Sequence, residues 1–470
     1  MSKVLVVGHV PLPFENLRKF YAPGARTWHF AEPLIADGHE LVIVGLRIPF
    51  VYDDDLPDVV KTEERGCTIY SVTPAEAECG TLLTDLAEEF EPDCVLGVNS
   101  YPSYVACVKG LEQPLWADIN GCLLAEAQLK AATYSDDAFL EHFFRMDEGV
   151  LRRADRFSTV ALRQKYELIG ELAYAGRLTS STAGYDFVAD IPNAYPDTPL
   201  REEGARELRA RTEGDFLVLW SGGYNTWTDT STLFEGLTYA MERNPRVKYV
   251  STGGSIDGHD ELTYPTLVKL VEESPLRDNF LLEGWIERDV ARSYYLACDV
   301  GVNIDSDTYE VMFGSRNRIM DWAVAALPSL STDLCELTEE FAAQGLLYRF
   351  PDGDAVGLGQ KILELAADPE GLARTGERLK KYVFEKFSYS ATTGALREWV
   401  ASPEHSPDWE ERKDRILPQP PPPPPPPPIT PASSAGEKLK FYLKNEGVGT
   451  TVKRAASSAK RKTRRGGESQ

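Results

Sequence analysis

Residues 309–328, with the sequence YEVMFGSRNRIMDWAVAALP, combine charged side chains of both signs at helical spacing. We predict that a helix opens at Gly314 and the next residue, which would place Arg316 and Arg318 in its first turns. Unpaired backbone N–H groups and the positive end of the helix dipole favour a diphosphate there. Asp321 follows one turn later, where its carboxylate could accept hydrogen bonds from ribose hydroxyls. The segment predicts a nucleotide-sugar site, and the alternative is an amphipathic helix with a surface Arg–Asp pair.

A second candidate is the glycine pair that directly follows the strand-like segment FLVLW (216–220). Gly222 and Gly223 lack Cβ atoms, so backbone amides around them, with Asn225 nearby, can approach phosphates closely. The residues just beyond, 227–229, read Trp-Thr-Asp and include no Lys or Arg. We therefore predict donor binding by the turn with the cationic role left to the later arginines, and a plain tight turn is the alternative.

The order of residues in 309–328 resembles the donor-site signature of GT-B glycosyltransferases, particularly retaining family 4 (glycosyl transferases group 1). In that signature a Gly, a Lys or Arg, and a Glu are followed by an aromatic residue, small residues and Gly-x-Pro. The positions that match this order are Gly314, Arg318, Asp321, Trp322 and Pro328. Two positions depart from it, because Asp321 stands where the family usually has Glu, and Ala326 where it usually has Gly.

The resemblance also implies roles for two further residues near the donor. Glu310 stands where the family's other carboxylate often touches the donor sugar, so we predict a catalytic role for it and for Arg318. It lies eleven residues before Asp321, which is a longer spacing than the family commonly has. Trp285, in the Gly-Trp-Ile segment 284–286, resembles the loop that lines the nucleotide base pocket, where it would stack on the base or only wall the pocket.

In the first half of the chain, the segment GARTWH (24–29) resembles the glycine-rich loop and following His that family 4 enzymes place near the acceptor. The resemblance implies acceptor binding by Gly24 and Arg26 and a catalytic role for His29. Imidazole changes charge near pH 6.5, which suits proton traffic or hydrogen bonding to sugar hydroxyls. A histidine that only packs on a helix face is the alternative.

Asp118 and Asn120 follow another strand-like segment, around Leu115 and Trp116. Because functional groups gather at the strand ends of open α/β sheets, we expect both side chains to face the cleft and to contact the hydroxyls of an acceptor. Nothing in their spacing demands this role.

Length and composition indicate a folded, two-domain chain. Its 470 residues are 42% hydrophobic, enough for a full core, and no run of eighteen apolar residues suggests a membrane span. We expect a cytoplasmic location, since the start of the chain reads as a strand and not as a secretory signal. The seven cysteines form no CxxC pair, which argues against disulfides and zinc.

The net charge of −23 is unevenly distributed. Residues 432–470 hold ten Lys or Arg and three Glu, a net of +7, which leaves −30 for the rest of the chain. So acidic a body excludes non-specific nucleic-acid binding. The basic tail would contact its own acidic body, an anionic membrane surface, or a partner domain that reads the adjacent prolines.

Strand-like and helix-like segments alternate through most of the chain, which predicts an α/β protein with two Rossmann-like, doubly wound domains that face a central cleft. We place an N-terminal acceptor domain first, then a nucleotide-sugar donor domain, then helices that cross back, a polyproline linker and a disordered basic tail. Their predicted boundaries are 1–200, 201–385, 386–416, 417–431 and 432–470.

The predicted activity is that of a hexosyltransferase-type glycosyltransferase, which moves a sugar from a nucleotide-diphosphate donor to the hydroxyl of a saccharide or lipid-linked acceptor. The resemblance implies retention of configuration, and the absence of a strand-flanked DxD motif predicts independence from metals and cofactors. We expect a role in bacterial cell-surface polysaccharide or glycoconjugate synthesis, at the inner face of the membrane. A non-catalytic GT-B scaffold subunit and a GT-B nucleotide-sugar epimerase are the alternatives.

Overall fold

The computed structural model describes residues 1–52, 56–195 and 199–413. The predicted polyproline linker and basic tail lie outside the described residues. The strands of the first half are β1 Lys3–Val10, β2 Glu40–Arg47, β3 Val59–Glu64, β4 Cys67–Val72, β5 Cys94–Val98, β6 Leu115–Asp118, β7 Arg156–Thr159 and β8 Val188–Asp190. The helices of the first half are α1 Ala22–Ala36, α2 Pro74–Cys79, α3 Leu82–Phe90, α4 Ser100–Val108, α5 Leu123–Tyr134, α6 Ala138–Arg153 and α7 Leu162–Tyr174.

The second half supplies a separate set of strands and the remaining helices. Its strands are β9 Phe216–Ser221, β10 Val247–Thr252, β11 Phe280–Gly284, β12 Val300–Asn303, β13 Ser329–Thr332 and β14 Tyr348–Phe350. Its helices are α8 Glu203–Arg211, α9 Thr230–Arg243, α10 Thr263–Glu272, α11 Arg288–Ser293, α12 Tyr309–Phe313, α13 Asn317–Val324, α14 Glu336–Ala343, α15 Ala355–Ala366, α16 Pro369–Lys386, α17 Tyr389–Thr392, α18 Gly394–Ala401 and α19 Trp409–Arg412.

The first sheet has the order β3-β4-β2-β1-β5-β6-β7-β8 and is parallel except for the edge strand β3. Its central strands are continuous apolar runs, as expected when helices cover both faces of a parallel sheet. In β1, Val4 to Val7 are all fully buried. The edge strand β3, with the sequence VVKTEE, is mostly exposed and polar, which suits a position with one unpaired side.

The second sheet is wholly parallel, with the order β11-β10-β9-β12-β13-β14. This order reverses between β9 and β12, and open α/β sheets bind ligands outside the carboxyl ends of their strands at such a switch point. The glycine turn follows β9, and the charged segment that includes Glu310 follows β12. The topology therefore brings both donor-site candidates to one edge of the sheet.

The chain crosses back to the first domain near its described end. Tyr389, Leu396 and Trp399, from α17 and α18, are buried in the same apolar cluster as Val4 and Val6 of β1. The two chain crossings between the domains touch, because the backbone N–H of Tyr195 donates to the carbonyl oxygen of Phe387 at 3.1 Å.

A buried ionic cluster fastens residues 402–413 to the first domain. Asp155 accepts hydrogen bonds from Arg412 at 2.6 Å, and Asp408 accepts one from Arg177 at 2.6 Å. Although burial alone would raise the pKa of the Asp155 carboxyl, bonds to His405 and the neighbouring arginines hold that pKa well below its usual range. The last described residues therefore lie against the end of α6 and the turn after α7.

Two predicted helix starts differ from the structure. Helix α13 begins at Asn317, and Arg316 precedes it with φ −115° and ψ 88°, so Arg316 does not belong to the first turn. Helix α1 begins at Ala22, where Pro23 occupies one of its first two positions, so residues 24–29 lie within a helix and not in a loop. Among residues 1–413, where described, no helix is long and apolar enough to cross a membrane.

Candidate functional site

The turn after β9 depends on one positive φ and on one close backbone approach. Gly222 has a φ of +92°, and a Cβ on the neighbouring Gly253 would lie 1.9 Å from the carbonyl oxygen of Gly222. Three polar side-chain atoms around this turn are buried without a hydrogen-bond partner in the described part of the chain: Asn225 Oδ1, Thr226 Oγ1 and Thr252 Oγ1. Unsatisfied buried polar atoms are rare, so this cluster is consistent with a polar ligand beside the turn.

Arg318 reaches the same turn from α13. Its guanidinium lies 3.6 Å from the ring centroid of Trp220, and its Nη2 atom donates to the carbonyl oxygen of Gly223 at 3.3 Å. No carboxylate lies within ion-pair distance of Arg318 among the described residues. Burial lowers the pKa of Arg318 to about 10, which still leaves it charged at neutral pH. Arg318 is a half-buried cation that is held by stacking and is available to an anion.

Arg316 has a different environment, although it lies only two residues away. Its Nε donates to Asp305 Oδ2 at 2.8 Å, and its Nη2 donates to Glu310 Oε2 at 3.2 Å. All three side chains are less than 10% exposed. The charge of Arg316 is therefore matched inside the protein by two buried carboxylates, and its guanidinium also lies 5.7 Å from the ring centroid of Trp227.

Glu310 lies on α12, which the Thr308 side chain caps by accepting from the N–H of Val311. Burial raises the pKa of Glu310 to about 7, and the opposing effect of Arg316 is smaller. The negative charge of Glu126, on α5 of the first domain, raises it further. Glu310 is thus a carboxyl group that titrates near neutral pH at the junction of the two domains.

Asp321 lies half-buried on α13, one turn after Arg318. Burial and the nearby Asp321 carboxylate raise the pKa of Tyr295 to about 12. Burial lowers the pKa of Arg288, and Asp321 opposes this effect. The Nη2 atom of Arg288 is buried without a hydrogen-bond partner among the described residues. The structure thus places Asp321 beside a second buried arginine that the sequence did not single out.

Trp285 lies half-buried between the domains, close to the glycine turn. A Cβ on Gly223 would contact its ring at 3.6 Å, and its Nε1 donates to the carbonyl oxygen of Ser255 at 2.8 Å. The loop after β1 covers the other side, where Arg18 Nε donates to the Trp285 carbonyl oxygen at 2.7 Å and the Tyr21 ring packs edge-on at 5.1 Å. The structure therefore brings Trp285 together with the turn and with the first domain.

The predicted acceptor residues make close contacts within the first domain. Arg26 and Asp118 form a two-bonded ion pair at 2.7 and 3.0 Å, and both are buried. Gly24 permits a close approach, because a Cβ there would lie 1.9 Å from the carbonyl oxygen of Pro11. Asn120 Nδ2 donates to another asparagine, at position 99, at 3.1 Å. These contacts hold the strand ends of the first sheet together.

His29 is buried in the first domain against the returning helix α17. Its Nε2 lies 2.7 Å from Thr392 Oγ1, its Nδ1 lies 3.3 Å from Arg26 Nη1, and its ring stacks on Tyr389 at 4.6 Å. Burial and the Arg26 charge lower the pKa of His29 well below 6.5. The expected charge switch near pH 6.5 is therefore not available to this imidazole, because the folded protein keeps it neutral.

A small interdomain cavity joins several of the candidates. Its lining includes Arg26 and His29 from α1, Asn193 from the first crossing, Asn317 from α13, and Tyr389 from α17.

Four further residues of the candidate site were not selected from the sequence: Asp305, Thr226, Thr252 and Arg288. Asp305 was within reach, because it directly follows a strand at the switch point; the others carry no local signal. In the described residues no group of three His, Cys, Asp or Glu side chains could hold a metal ion.

Two Rossmann-like sheets, a strand-end glycine turn and a returning C-terminal helix define the GT-B fold, and comparison with solved structures confirms that prediction. A sucrose-phosphate synthase from Thermosynechococcus elongatus aligns with a TM-score of 0.61 at 16% identity, over 86% of this chain and all of that one. The UDP-forming α,α-trehalose-phosphate synthase of Burkholderia vietnamiensis aligns with a TM-score of 0.62 at 12% identity, over 86% of this chain and 99% of its own.

Anabaena HepE, solved in complex with UDP-glucose, aligns with a TM-score of 0.59 at 13% identity, over 86% of this chain and all of HepE. At these identities the likeness establishes the fold. No family model matches the sequence, and no curated protein matches it significantly. Membership of glycosyltransferase family 4 stays a prediction.

Proposed function

We propose that the protein is a glycosyltransferase that takes a sugar from a UDP-sugar and transfers it to the hydroxyl of a saccharide or lipid-linked acceptor. The observation that carries the proposal is Arg318, a half-buried cation without a carboxylate partner in the described chain, next to a glycine turn with unpaired polar atoms. Such a site suits a diphosphate. Solved structures with the same fold bind UDP and UDP-glucose.

In this proposal the leaving diphosphate lies against Arg318 and the amides of Gly222 and Gly223. Negative charge develops on the diphosphate as the glycosidic bond breaks, and a preorganised cation in a dry cleft stabilises that charge. Asn225 would bind a phosphate or ribose oxygen through its amide. We propose that this protein charge makes a metal unnecessary, and that the sugar is transferred with retention. Both points rest on the family resemblance and the residues at the turn.

The remaining candidates receive more specific roles. Glu310 would accept hydrogen bonds from hydroxyls of the donor sugar, while Arg316 holds that carboxylate in place. Asp321 would bind the ribose, and Trp285 would wall the base. For Gly24, Arg26, Asp118, Asn120 and His29, the contacts support a positioning role at the acceptor side of the cleft, in which the Arg26–Asp118 pair fixes α1 and its strand ends.

The test is thermal melting of the purified protein against UDP-, GDP- and ADP-sugars and the free nucleoside diphosphates, with and without EDTA. We expect a rise in Tm with UDP and one or more UDP-sugars that EDTA does not abolish. A hydrolysis or transfer assay with the stabilising sugar then separates an enzyme from a scaffold subunit. Absence of a shift with every nucleotide would contradict the proposal.

One observation favours the scaffold alternative. Asp229 caps α9, and residues 224–229, which follow the glycine pair, include no Lys or Arg.

The pH dependence of transfer tests the role of Glu310. Because its pKa is raised from 4.5 to about 7, we expect the rate at low donor concentration to rise as the pH increases through about 7 and the carboxylate forms. The Glu310→Gln variant should be slower and should lack this rise. The exposed Glu364→Gln serves as the matched control and should keep the wild-type profile. An unchanged profile in Glu310→Gln would assign the ionisation to another group.

The raised pKa of Glu310 also affects how the stability of the protein depends on pH. The folded protein binds the Glu310 proton more tightly than the unfolded chain does, so its contribution to stability falls as the pH rises from about 4.5 to about 7. The Glu310→Gln variant should therefore lose stability less steeply over this interval than the wild type. Urea unfolding at several pH values measures the difference.

We further propose that the protein acts in bacterial cell-surface polysaccharide or glycoconjugate synthesis, at the cytoplasmic face of the membrane. The support is the basic tail of net charge +7, which is suited to anionic lipid, together with a chain end that is anchored to the first domain. Incorporation of labelled sugar into an organic-soluble product by membranes plus purified protein tests this role, and transfer only to water-soluble acceptors would contradict it.

A further inference from the structure

The outward face of helix α7 has an unusual composition. Its exposed positions are Leu162, Tyr166, Gly170, Ala173 and Tyr174, and none of them is charged. Tyr166 is 63% exposed and Tyr174 is 91% exposed. Leu162, Tyr166, Gly170 and Tyr174 follow each other at intervals of four residues, so they form one stripe along the helix. Surface helices normally expose charged and polar residues to water. An uncharged stripe with exposed apolar side chains therefore indicates a surface that contacts another molecule.

Exposed apolar side chains also lie outside the stripe. Leu178, in the turn that follows α7, is 50% exposed. Helix α12 of the second domain contacts α7 and exposes Tyr309 and Met312. Helix α12 also carries Glu310, which we assign to the donor sugar. The exposed apolar residues of α7 therefore belong to a helix that contacts an element of the proposed active site.

The acidic residues of α7 point away from this surface. Glu167 and Glu171 are half-buried, and Glu167 Oε1 lies 3.5 Å from Cys122 Sγ in the interior. Burial raises the pKa of Glu171 to about 9, and that of Glu167 is raised as well. Burial therefore favours the neutral form of both carboxyl groups, although the body of the protein is strongly acidic.

The described part of the chain ends close to the turn after α7. Arg177, directly before Leu178, binds Asp408 at 2.6 Å, and the described chain ends at Lys413. Fifty-seven residues follow in the sequence, and they include the basic tail with its net charge of +7. An interfacial helix with tyrosines at the headgroup level, in a chain whose last residues are rich in Lys and Arg, matches the requirements of an anionic bilayer.

We propose that α7, together with Tyr309, Met312 and Leu178, lies on an anionic lipid bilayer, and that the basic tail binds the same leaflet. This assignment deepens the proposed function, on which it rests for the lipid-linked acceptor. It gives the membrane one defined face of the protein, on which the lipid chain of an acceptor stays in the bilayer while its head group reaches the cleft near Glu310.

Vesicle sedimentation of the full chain tests the proposal. We expect binding to vesicles of phosphatidylcholine with phosphatidylglycerol, and at least tenfold weaker partitioning to phosphatidylcholine alone. Tyr166→Glu combined with Tyr174→Glu should lower the partition coefficient on anionic vesicles at least tenfold. Both side chains are exposed, so circular dichroism and Tm should match the wild type.

Two further variants serve as comparisons. Leu296→Glu combined with Val356→Glu adds the same charge at exposed apolar residues elsewhere, and it should bind like the wild type. Replacement of the five basic residues within 459–465 by Gln should weaken binding, since the tail supplies the electrostatic part.

Several outcomes would overturn the proposal. These are no sedimentation of the wild type, equal binding to neutral vesicles, or wild-type binding by the tyrosine variant, in which case the tail alone holds the membrane. Conversion of a dimer to a monomer by the tyrosine substitutions, without vesicle binding, would assign the surface to a second copy of the chain. Calorimetry with UDP-glucose on the same variants keeps the two proposals apart, because donor binding should be unchanged by them.

Discussion

Replacement of Arg318 by Ala is expected to weaken binding of UDP-glucose roughly 100-fold, or about 2.7 kcal/mol, because a charge-assisted pair with the diphosphate is lost. Arg318 has no carboxylate partner in the described chain and lies between Trp220 and the glycine turn, so its charge is available to the ligand. Isothermal titration calorimetry at physiological salt measures the change. Arg318→Lys should be intermediate, since the point charge remains and the stacked, forked guanidinium does not.

The control for this substitution is Arg349→Ala, which removes an exposed arginine from an ion pair with Asp333 and should leave donor binding unchanged. The Tm of the Arg318→Ala variant without ligand should stay close to that of the wild type, because Arg318 is only half-buried and has no carboxylate partner in the described chain. Wild-type affinity in Arg318→Ala would place the diphosphate elsewhere in the cleft.

Replacement of Arg316 by Met is expected to reduce the free energy of unfolding by about 3–5 kcal/mol. The substitution leaves Asp305 and Glu310 buried without their shared cation, and isolated buried carboxylates are costly. Guanidinium unfolding measures the loss. Without Arg316, the pKa of Glu310 should rise further, so the destabilisation should be smaller at pH 5.5, where the carboxyl is protonated, than at pH 8.

A triple variant separates the ion cluster from simple packing. Asp305→Asn and Glu310→Gln, added to Arg316→Met, remove the unpaired charges and should restore most of the lost stability. If the triple variant is no more stable than Arg316→Met, the loss comes from packing and the account of the cluster is wrong. Together with the Arg318 result, this comparison would show that Arg316 stabilises the fold while Arg318 binds the donor.

The central strands were predictable because parallel strands that are covered on both faces read as continuous apolar runs. The strand-like segment FLVLW (216–220) forms β9, which extends one residue further to Ser221. The hairpin of β3 and β4 was not predicted, since β3 is an exposed, polar edge strand whose pairing depends on a neighbour. Residues 24–29 were predicted as a loop and not as part of α1, because Gly24 disfavours a helix locally; the structure has a glycine there because the Pro11 carbonyl leaves no room for a Cβ.

The separate roles of Arg316 and Arg318 could not be predicted from sequence. Both follow Gly314 and both suit a phosphate, and their difference depends on Asp305 and Trp220, which strands β12 and β9 bring close. Likewise, Arg26 and Asp118 are 92 residues apart in the chain, and only the sheet makes them partners. Local pattern therefore selected segments that the fold brings to the strand ends, while tertiary contacts decide which of their side chains are paired within the protein.

The hydrogen bond between Tyr195 and Phe387 joins the two chain crossings, and it constrains how the domains can move. Two neighbouring connections that are hydrogen-bonded to each other restrain rotation of one domain relative to the other. A single linker would also permit the domains to twist. Opening should therefore part the far rim of the cleft, at Trp285 and the β1 loop, and displace the region around Phe387 little. Nucleotide exchange would then follow one swinging motion, whose rate depends on these two crossings.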